Sequence, residues 1–242
     1  MRLNWIIAAT ILVGLPIDVY AGPFGQAMAS VLVWTVFFMV WETTRPERRL
    51  ALAACLAIAT AGEMFLSLGW GIYSYRLGNI PMFVPPGHVI LFYLGMQMAE
   101  RMPAAVEWMV PAVFVPIVAY FAFCTGSDTM GLVYFAFFLG CMIVSPSRRL
   151  YPTMFVLSLS MELYGTWLGN WVWADRIPWL GLTSDNPPLA SGAFYCVLDL
   201  MVVSVVNFSA RKPRLESERG LAPGGNLQGA LIPAIASDDL NA

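Results

Sequence analysis

Residues 101–200 repeat the pattern of residues 1–100, and a period that long in so apolar a chain leaves few folds open. Pro16, Ile17 and Tyr20 align with Pro116, Ile117 and Tyr120, and Leu32, Val33, Phe37 and Phe38 with Leu132, Val133, Phe137 and Phe138. Pro46, Arg48, Arg49 and Leu50 align with Pro146, Arg148, Arg149 and Leu150. The offset then drifts by a residue or two. Glu63 aligns with Glu162, the Gly71-x-Tyr73-x-Tyr75 segment with Gly169-x-Trp171-x-Trp173, and Pro85, Pro86 and Tyr93 with Pro187, Pro188 and Tyr195. Long internal repeats of this kind predict two copies of one membrane-helix unit, with any site between the copies.

Charged residues make up only 12% of the chain and apolar ones 59%, with a mean hydropathy of +0.69. A soluble domain carries roughly a quarter charged residues. The composition therefore predicts an integral membrane protein, and a net charge of −2 gives no argument for a nucleic-acid partner. Apolar runs long enough to cross a bilayer fall at about 4–20, 25–42, 50–72, 83–99, 104–124, 129–145, 151–171 and 188–208. The expected fold is all-α: eight transmembrane helices as two parallel four-helix repeats, 1–100 and 101–208. An even number of helices per copy makes the copies parallel, related by an axis along the membrane normal. Residues 209–242, rich in Gly, Pro, Ser and charge, read as a disordered cytoplasmic tail.

The basic residues fit this map. With the N-terminus inside, the inner segments hold Arg2, Arg45, Arg48, Arg49, Arg101, Arg148, Arg149, Arg211, Lys212, Arg214 and Arg219, and the outer loops hold only Arg76 and Arg176. That asymmetry predicts a multi-pass protein of the cell (inner) membrane with both termini cytoplasmic. Arg2, an apolar stretch and Val19-Tyr20-Ala21 also fit a cleaved signal peptide. The counterparts of Pro16, Ile17 and Tyr20 in the fifth helix favour a retained helix instead.

Ionisable groups at membrane depth are costly, so each needs a reason. Glu63 lies about 20 Å up a hydrocarbon core of about 30 Å, and Glu162 lies at nearly the same depth. Each precedes a Gly-aromatic segment. A carboxyl there can be structural glue between helices, but two at matched depth point to a shared site. Desolvation keeps such a group protonated, which suits a general acid. Glu63, followed by Met64 and Phe65, has the more apolar setting and is the expected proton donor. Asp199 sits mid-way along the eighth helix, where the first copy has Gln97. His88, the one histidine of the chain, opens the fourth helix after Pro85-Pro86-Gly87 and is a candidate proton carrier. Asp18 lies near the outer end of the first helix and is expected simply to reach the interface. The x-spacing of Tyr73/Tyr75 and Trp171/Trp173 puts each pair on one face of an extended segment. Such rings are either a membrane-boundary belt or a wall facing a flat hydrophobe or a carbocation.

Cys55, Cys124, Cys141 and Cys196 lack metal-ligand spacing and read as packing residues. Nucleotide, dinucleotide, zinc-protease and serine-hydrolase motifs are absent, as are aspartate-rich diphosphate–Mg²⁺ clusters. The expected chemistry is acid–base, with no metal and no other cofactor.

Glu63, Gly71-x-Tyr73-x-Tyr75, Leu77-Gly78, Pro81 and Val84-Pro85 resemble the core signature of the carotenoid-biosynthesis membrane family, which includes bacterioruberin-type carotenoid hydratases. Glu162, Gly169-x-Trp171-x-Trp173, Gly181-Leu182 and Asn186-Pro187 resemble that family's later Gly-x-Trp-x-Trp segment. More distantly, the same pattern is similar to membrane lycopene cyclases, although those carry paired acids where this chain has Pro86-Gly87-His88 and Pro188-Leu189-Ala190. The resemblance covers residues 60–97 and 160–199. It implies a membrane-embedded hydrophobic substrate, a long isoprenoid or polyene. On this reading Glu63, Glu162, Asp199 and His88 are catalytic candidates. Tyr73, Tyr75, Trp171, Trp173, Asn170, Tyr93 and Tyr195 are substrate-binding candidates. The alternative is a small proton-coupled transporter or a lipid-binding membrane protein with its site between the repeats.

Overall fold

A computed structural model describes residues 2–145 and 148–218, with side chains as far as residue 209. Among the described residues there are eight α-helices: α1 (Arg2–Tyr20), α2 (Gly25–Thr43), α3 (Pro46–Glu63), α4 (Val84–Ala99), α5 (Val106–Ala119), α6 (Thr129–Val144), α7 (Leu150–Leu168) and α8 (Ala193–Glu218). Each falls on one of the eight apolar runs. Four helical segments are long and apolar enough to cross a membrane: Arg2–Tyr20, Gly22–Thr43, Pro46–Trp70 and Val106–Thr125. Leu12, Val31, Phe123 and Ile143 are among the large apolar side chains left exposed. Apolar surface on this scale marks contact with lipid rather than water.

Local chemistry sets the helix ends. Pro46 opens α3, and Val84-Pro85-Pro86 opens α4, at positions where a missing N–H costs nothing. Asp128 caps α6, its carboxylate accepting from the Gly131 N–H at 2.9 Å. After Glu63 the chain continues as a π-helical turn, Met64–Trp70, whereas α7 runs through Glu162 to Leu168 without one. Eight positions separate Glu63 from Gly71 and seven separate Glu162 from Gly169. The π turn takes up the extra residue, which accounts for the one-residue change in the repeat offset between Glu63 and Gly71. Gly71 (φ +76°) and Gly169 (φ +83°) then end the two helices in the left-handed region.

Two strands follow these glycines, β1 (Tyr73–Tyr75) and β2 (Trp171–Trp173). They form an antiparallel ribbon with Tyr73 opposite Trp173, Ser74 opposite Val172 and Tyr75 opposite Trp171.

Helix packing is centred on a closed ring in which α3 meets α4, α4 meets α7, α7 meets α8 and α8 meets α3. Outside it, α2 packs on α4, and α6 packs on α8. The outermost pair differs: α1 packs on α2, α4 and α7, and α5 on α6 and α7. Backbones approach closely where glycines allow it. A Cβ on Gly95 of α4 would run into the Met154 sulfur, and one on Gly192 would lie 2.3 Å from the Phe155 carbonyl oxygen. The helix of α8 continues to Glu218, nine residues past the expected start of the tail at 209. Residues 219–242, the rest of the expected tail, lie outside the described residues.

Candidate active site

Glu63 is the last residue of α3, and Glu162 lies on α7; both are almost fully buried. The ribbon hangs its rings directly over them. In both strands the outer two residues are buried and the middle one is exposed, so Tyr73, Tyr75, Trp171 and Trp173 share one face. Each strand serves the carboxyl of its own half. The Tyr73 and Tyr75 hydroxyls donate to Glu63 Oε2 at 2.8 and 2.7 Å. The Trp171 and Trp173 indole N–H groups donate to Glu162 Oε2 at 2.8 and 3.2 Å. The two ring pairs also meet across the ribbon, Tyr73 against Trp173 at 4.9 Å between centroids and Tyr75 against Trp171 at 6.1 Å.

The donor sets differ in kind. An indole N–H can only donate, whereas a tyrosine hydroxyl donates or accepts. Glu162 is therefore held as an acceptor at Oε2, while Glu63 has neighbours that tolerate either protonation state.

His88 of α4 completes the Glu63 side. Its Nδ1 lies 2.9 Å from the Val84 carbonyl oxygen, which only accepts, so Nδ1 carries a proton. Its Nε2 faces Glu63 Oε1 at 3.5 Å. Nε2 is thus the ring nitrogen turned toward the carboxyl. The imidazole stacks on Tyr195 of α8, with centroids 4.8 Å apart and planes 9° from parallel. The Tyr195 hydroxyl donates to Glu162 Oε1 at 3.4 Å. The His88–Tyr195 stack thereby links the two carboxyls.

These groups line one end of a cavity of about 580 Å³ whose remaining wall is largely apolar, with Ile11, Leu15, Ile58 and Ile90 among its residues. Phe65 and Met201 also line it and are each about half exposed, so the cavity reaches the protein surface between the helices. A long apolar chain can enter from the side and meet two carboxyls and four aromatic rings.

Among the expected site residues, the structure brings together Glu63, Glu162, His88, Tyr73, Tyr75, Trp171, Trp173 and Tyr195. Asn170, Tyr93 and Asp199 do not line this cavity. The Asn170 amide instead donates to Asp18 Oδ2 at 2.7 Å and to the Leu15 carbonyl at 3.0 Å. Asp18 is buried rather than interfacial, and it also accepts from Arg76 Nη2 at 3.2 Å. The Arg76 N–H in turn donates to the Asn170 carbonyl at 2.9 Å. These three residues tie α1 to both strands at one end of the ribbon. The signal for this latch is a charged Arg directly after the Tyr73-x-Tyr75 segment, matched to a lone acid near the outer end of α1.

Sequence reasoning also missed Ser191, a buried residue of the cavity wall whose hydroxyl has no partner among the described residues. Among the described residues, no group of three or more His, Cys, Asp or Glu is placed to hold a metal ion. The four cysteines are unpaired, Cys124 exposed and the others buried.

Set against known proteins, the chain matches no family model, no curated protein and no solved structure.

Proposed function

We propose that this chain is a membrane enzyme that protonates a carbon–carbon double bond of a long isoprenoid or carotenoid-like polyene dissolved in the bilayer. The observation that carries the reading is the Glu63 carboxyl. It is hydrogen-bonded to Tyr73 and Tyr75, lies 3.5 Å from His88 Nε2 and faces a largely apolar cavity.

The proposed topology is eight transmembrane helices in two parallel four-helix copies, both termini inside. Three observations support it. The contact of α3 with α8 is mirrored by that of α7 with α4, and α2 on α4 by α6 on α8. The ribbon register is symmetric about Ser74 and Val172, the local two-fold of an antiparallel pair. The basic residues divide eleven to two between the inner and outer segments.

In the proposed reaction the Glu63 O–H bond breaks, and its proton forms a C–H bond with the π electrons of the substrate. The positive charge left on the neighbouring, more substituted carbon faces the rings of Tyr73, Tyr75, Trp171 and Trp173. Water then adds through oxygen and gives up one proton, or an internal double bond closes a ring and an adjacent C–H gives up one proton. Glu162, the acceptor-biased carboxyl, takes that proton. The His88–Tyr195 stack lies between the two carboxyls, where the proton must return. The net change is addition of water or isomerisation, and neither needs a redox partner.

The test is to express wild type, Glu63→Gln and Glu162→Gln in a host that makes acyclic polyenes and to follow the pigments by mass and absorption. Glu63→Gln keeps shape and hydrogen bonding but has no transferable proton. Turnover falls by at least about a hundredfold at unchanged protein level. A wild type that alters no isoprenoid, or a Glu63→Gln variant as fast as wild type, overturns the proposal in favour of the alternative, a proton-coupled transporter built on the same two carboxyls.

A further inference from the structure

Asp199 is the most deeply buried acid in the described chain, and it takes no part in the cavity. Its exposure is 0%, and neither carboxyl oxygen has a hydrogen-bond partner among the described residues. The Tyr151 hydroxyl is likewise buried, with Ser145 as its polar neighbour. The two belong to one place. Cys196, three positions before Asp199 on α8, donates its thiol hydrogen to the Tyr151 carbonyl at 3.3 Å. Asp199 interacts electrostatically with Tyr151 of α7, Cys55 of α3, Cys141 of α6 and Cys196 of its own helix. These electrostatic partners are thiols and a phenol, none of them basic.

A buried acid without a partner is costly unless something satisfies it. The smallest species that satisfies such an acid is water, which needs two to four polar partners. The site is also well placed. Tyr151 lies in the first turn of α7, the end read as cytoplasmic. Asp199 lies one helical turn, about 6 Å, from Tyr195, and the two interact electrostatically. Tyr195 in turn donates to Glu162.

We propose that Asp199 and Tyr151 hold internal water and, through Tyr195, relay protons between the inner face and Glu162. Each oxygen in the chain accepts one proton and passes one on. Asp199 gives a proton to water, water gives one to the Tyr195 oxygen, and the Tyr195 hydroxyl proton goes to Glu162 Oε1. The reverse sequence removes a proton from Glu162. The inference deepens the proposed function by assigning Glu162 a route for its proton that does not cross the apolar cavity.

The test needs no substrate. The full chain, labelled with ¹⁵N in its tryptophans, is placed in phosphatidylcholine nanodiscs and transferred to D₂O. Loss of the Trp171 and Trp173 indole N–H signals reports solvent protons reaching Glu162, with assignment by Trp171→Phe and Trp173→Phe. Loss of the Cys196 S–H stretch in the infrared reports water at Asp199. In the wild type both exchange. In Asp199→Asn, which still holds water but passes no proton, Cys196 exchange is kept and indole exchange slows by at least about tenfold. Tyr151→Phe removes one hydroxyl and gives the same slowing, so the result does not hang on one variant's folding. A Cys196 thiol that fails to exchange in the wild type, or indole exchange unchanged in both variants, overturns the relay. Because no polyene enters the measurement, its failure leaves double-bond protonation standing, and failure of polyene conversion leaves the relay standing.

Discussion

Gly165 of α7 is the position where one added methyl group tests the site's construction. A Cβ there would lie 2.1 and 2.2 Å from the Cη2 and Cζ2 atoms of the Trp171 ring. Ordinary carbon–carbon contact begins near 3.4 Å, so the indole must withdraw by about 1.3 Å or α7 must move. The ring is rigid, and its N–H is the 2.8 Å donor to Glu162 Oε2. A displacement of that size carries the hydrogen bond past its working range. Overpacking costs about 1–3 kcal/mol, and a lost hydrogen bond to a charged group costs about 1.5–3 kcal/mol. The two overlap, because both follow from one ring movement, so Gly165→Ala destabilises by about 2–4 kcal/mol. The assay is thermal unfolding in detergent beside the near-ultraviolet circular dichroism of the tryptophans. Gly140→Ala is the control, since a Cβ on Gly140 meets nothing within 4 Å, and it shifts stability by less than about 1 kcal/mol in either direction. A Gly165→Ala protein with wild-type midpoint and unchanged tryptophan dichroism would refute the close seating of Trp171 on α7.

Removing the Arg76 side chain leaves Asp18 buried with Asn170 as its remaining side-chain donor; Arg76→Ala is expected to cost about 2–4 kcal/mol in unfolding experiments, and an unchanged midpoint would show the latch to be idle. Tyr75→Phe deletes one of the two hydroxyls on Glu63 Oε2 and is expected to slow polyene turnover about tenfold, the rate equivalent of one modest hydrogen bond. Equal rates for wild type and Tyr75→Phe would mean that this hydroxyl does not hold the acid. Reporter fusions are expected to be active on the cytoplasmic side after Gly220 and on the outer side within 176–186, and a cytoplasmic signal at both places would defeat the eight-span topology.

The sequence made the carboxyls and their rings legible because both depend on short-range rules. Matched helical depth paired Glu63 with Glu162, and a spacing of two placed Tyr73 with Tyr75 and Trp171 with Trp173 on common faces. The pairing of the two strands into a ribbon was hidden, because strand partners about a hundred residues apart leave no local trace. The π turn did leave one, the extra residue between Glu63 and Gly71, but only a structure turns that count into backbone geometry. Asn170 and Tyr93 were drawn to the site by their neighbours in the motif or the repeat. Asn170 is instead spent on Asp18, whose burial depends on how α1 packs. That packing is also what the repeat did not convey. Helices α1 and α5 share Pro, Ile and Tyr positions, yet α1 packs on α4 of its own half while α5 packs chiefly on α6 and α7. The tail boundary at 209 was placed by composition, which misses a helix continuing to Glu218 through charged residues.

Proton transfer from Glu63 to carbon is tested most directly by running the reaction in D₂O. Membranes holding the wild-type chain are equilibrated in D₂O and supplied with an acyclic polyene, and the product is analysed by mass spectrometry and by ²H NMR. The expected product carries one deuterium per turnover in a C–D bond that survives washing in H₂O, at the carbon next to the one that bears the new oxygen or ring bond. Glu63→Gln membranes are expected to form less than about one hundredth as much of it. A product without carbon-bound deuterium, or deuterated product made equally well by Glu63→Gln, would contradict protonation by Glu63.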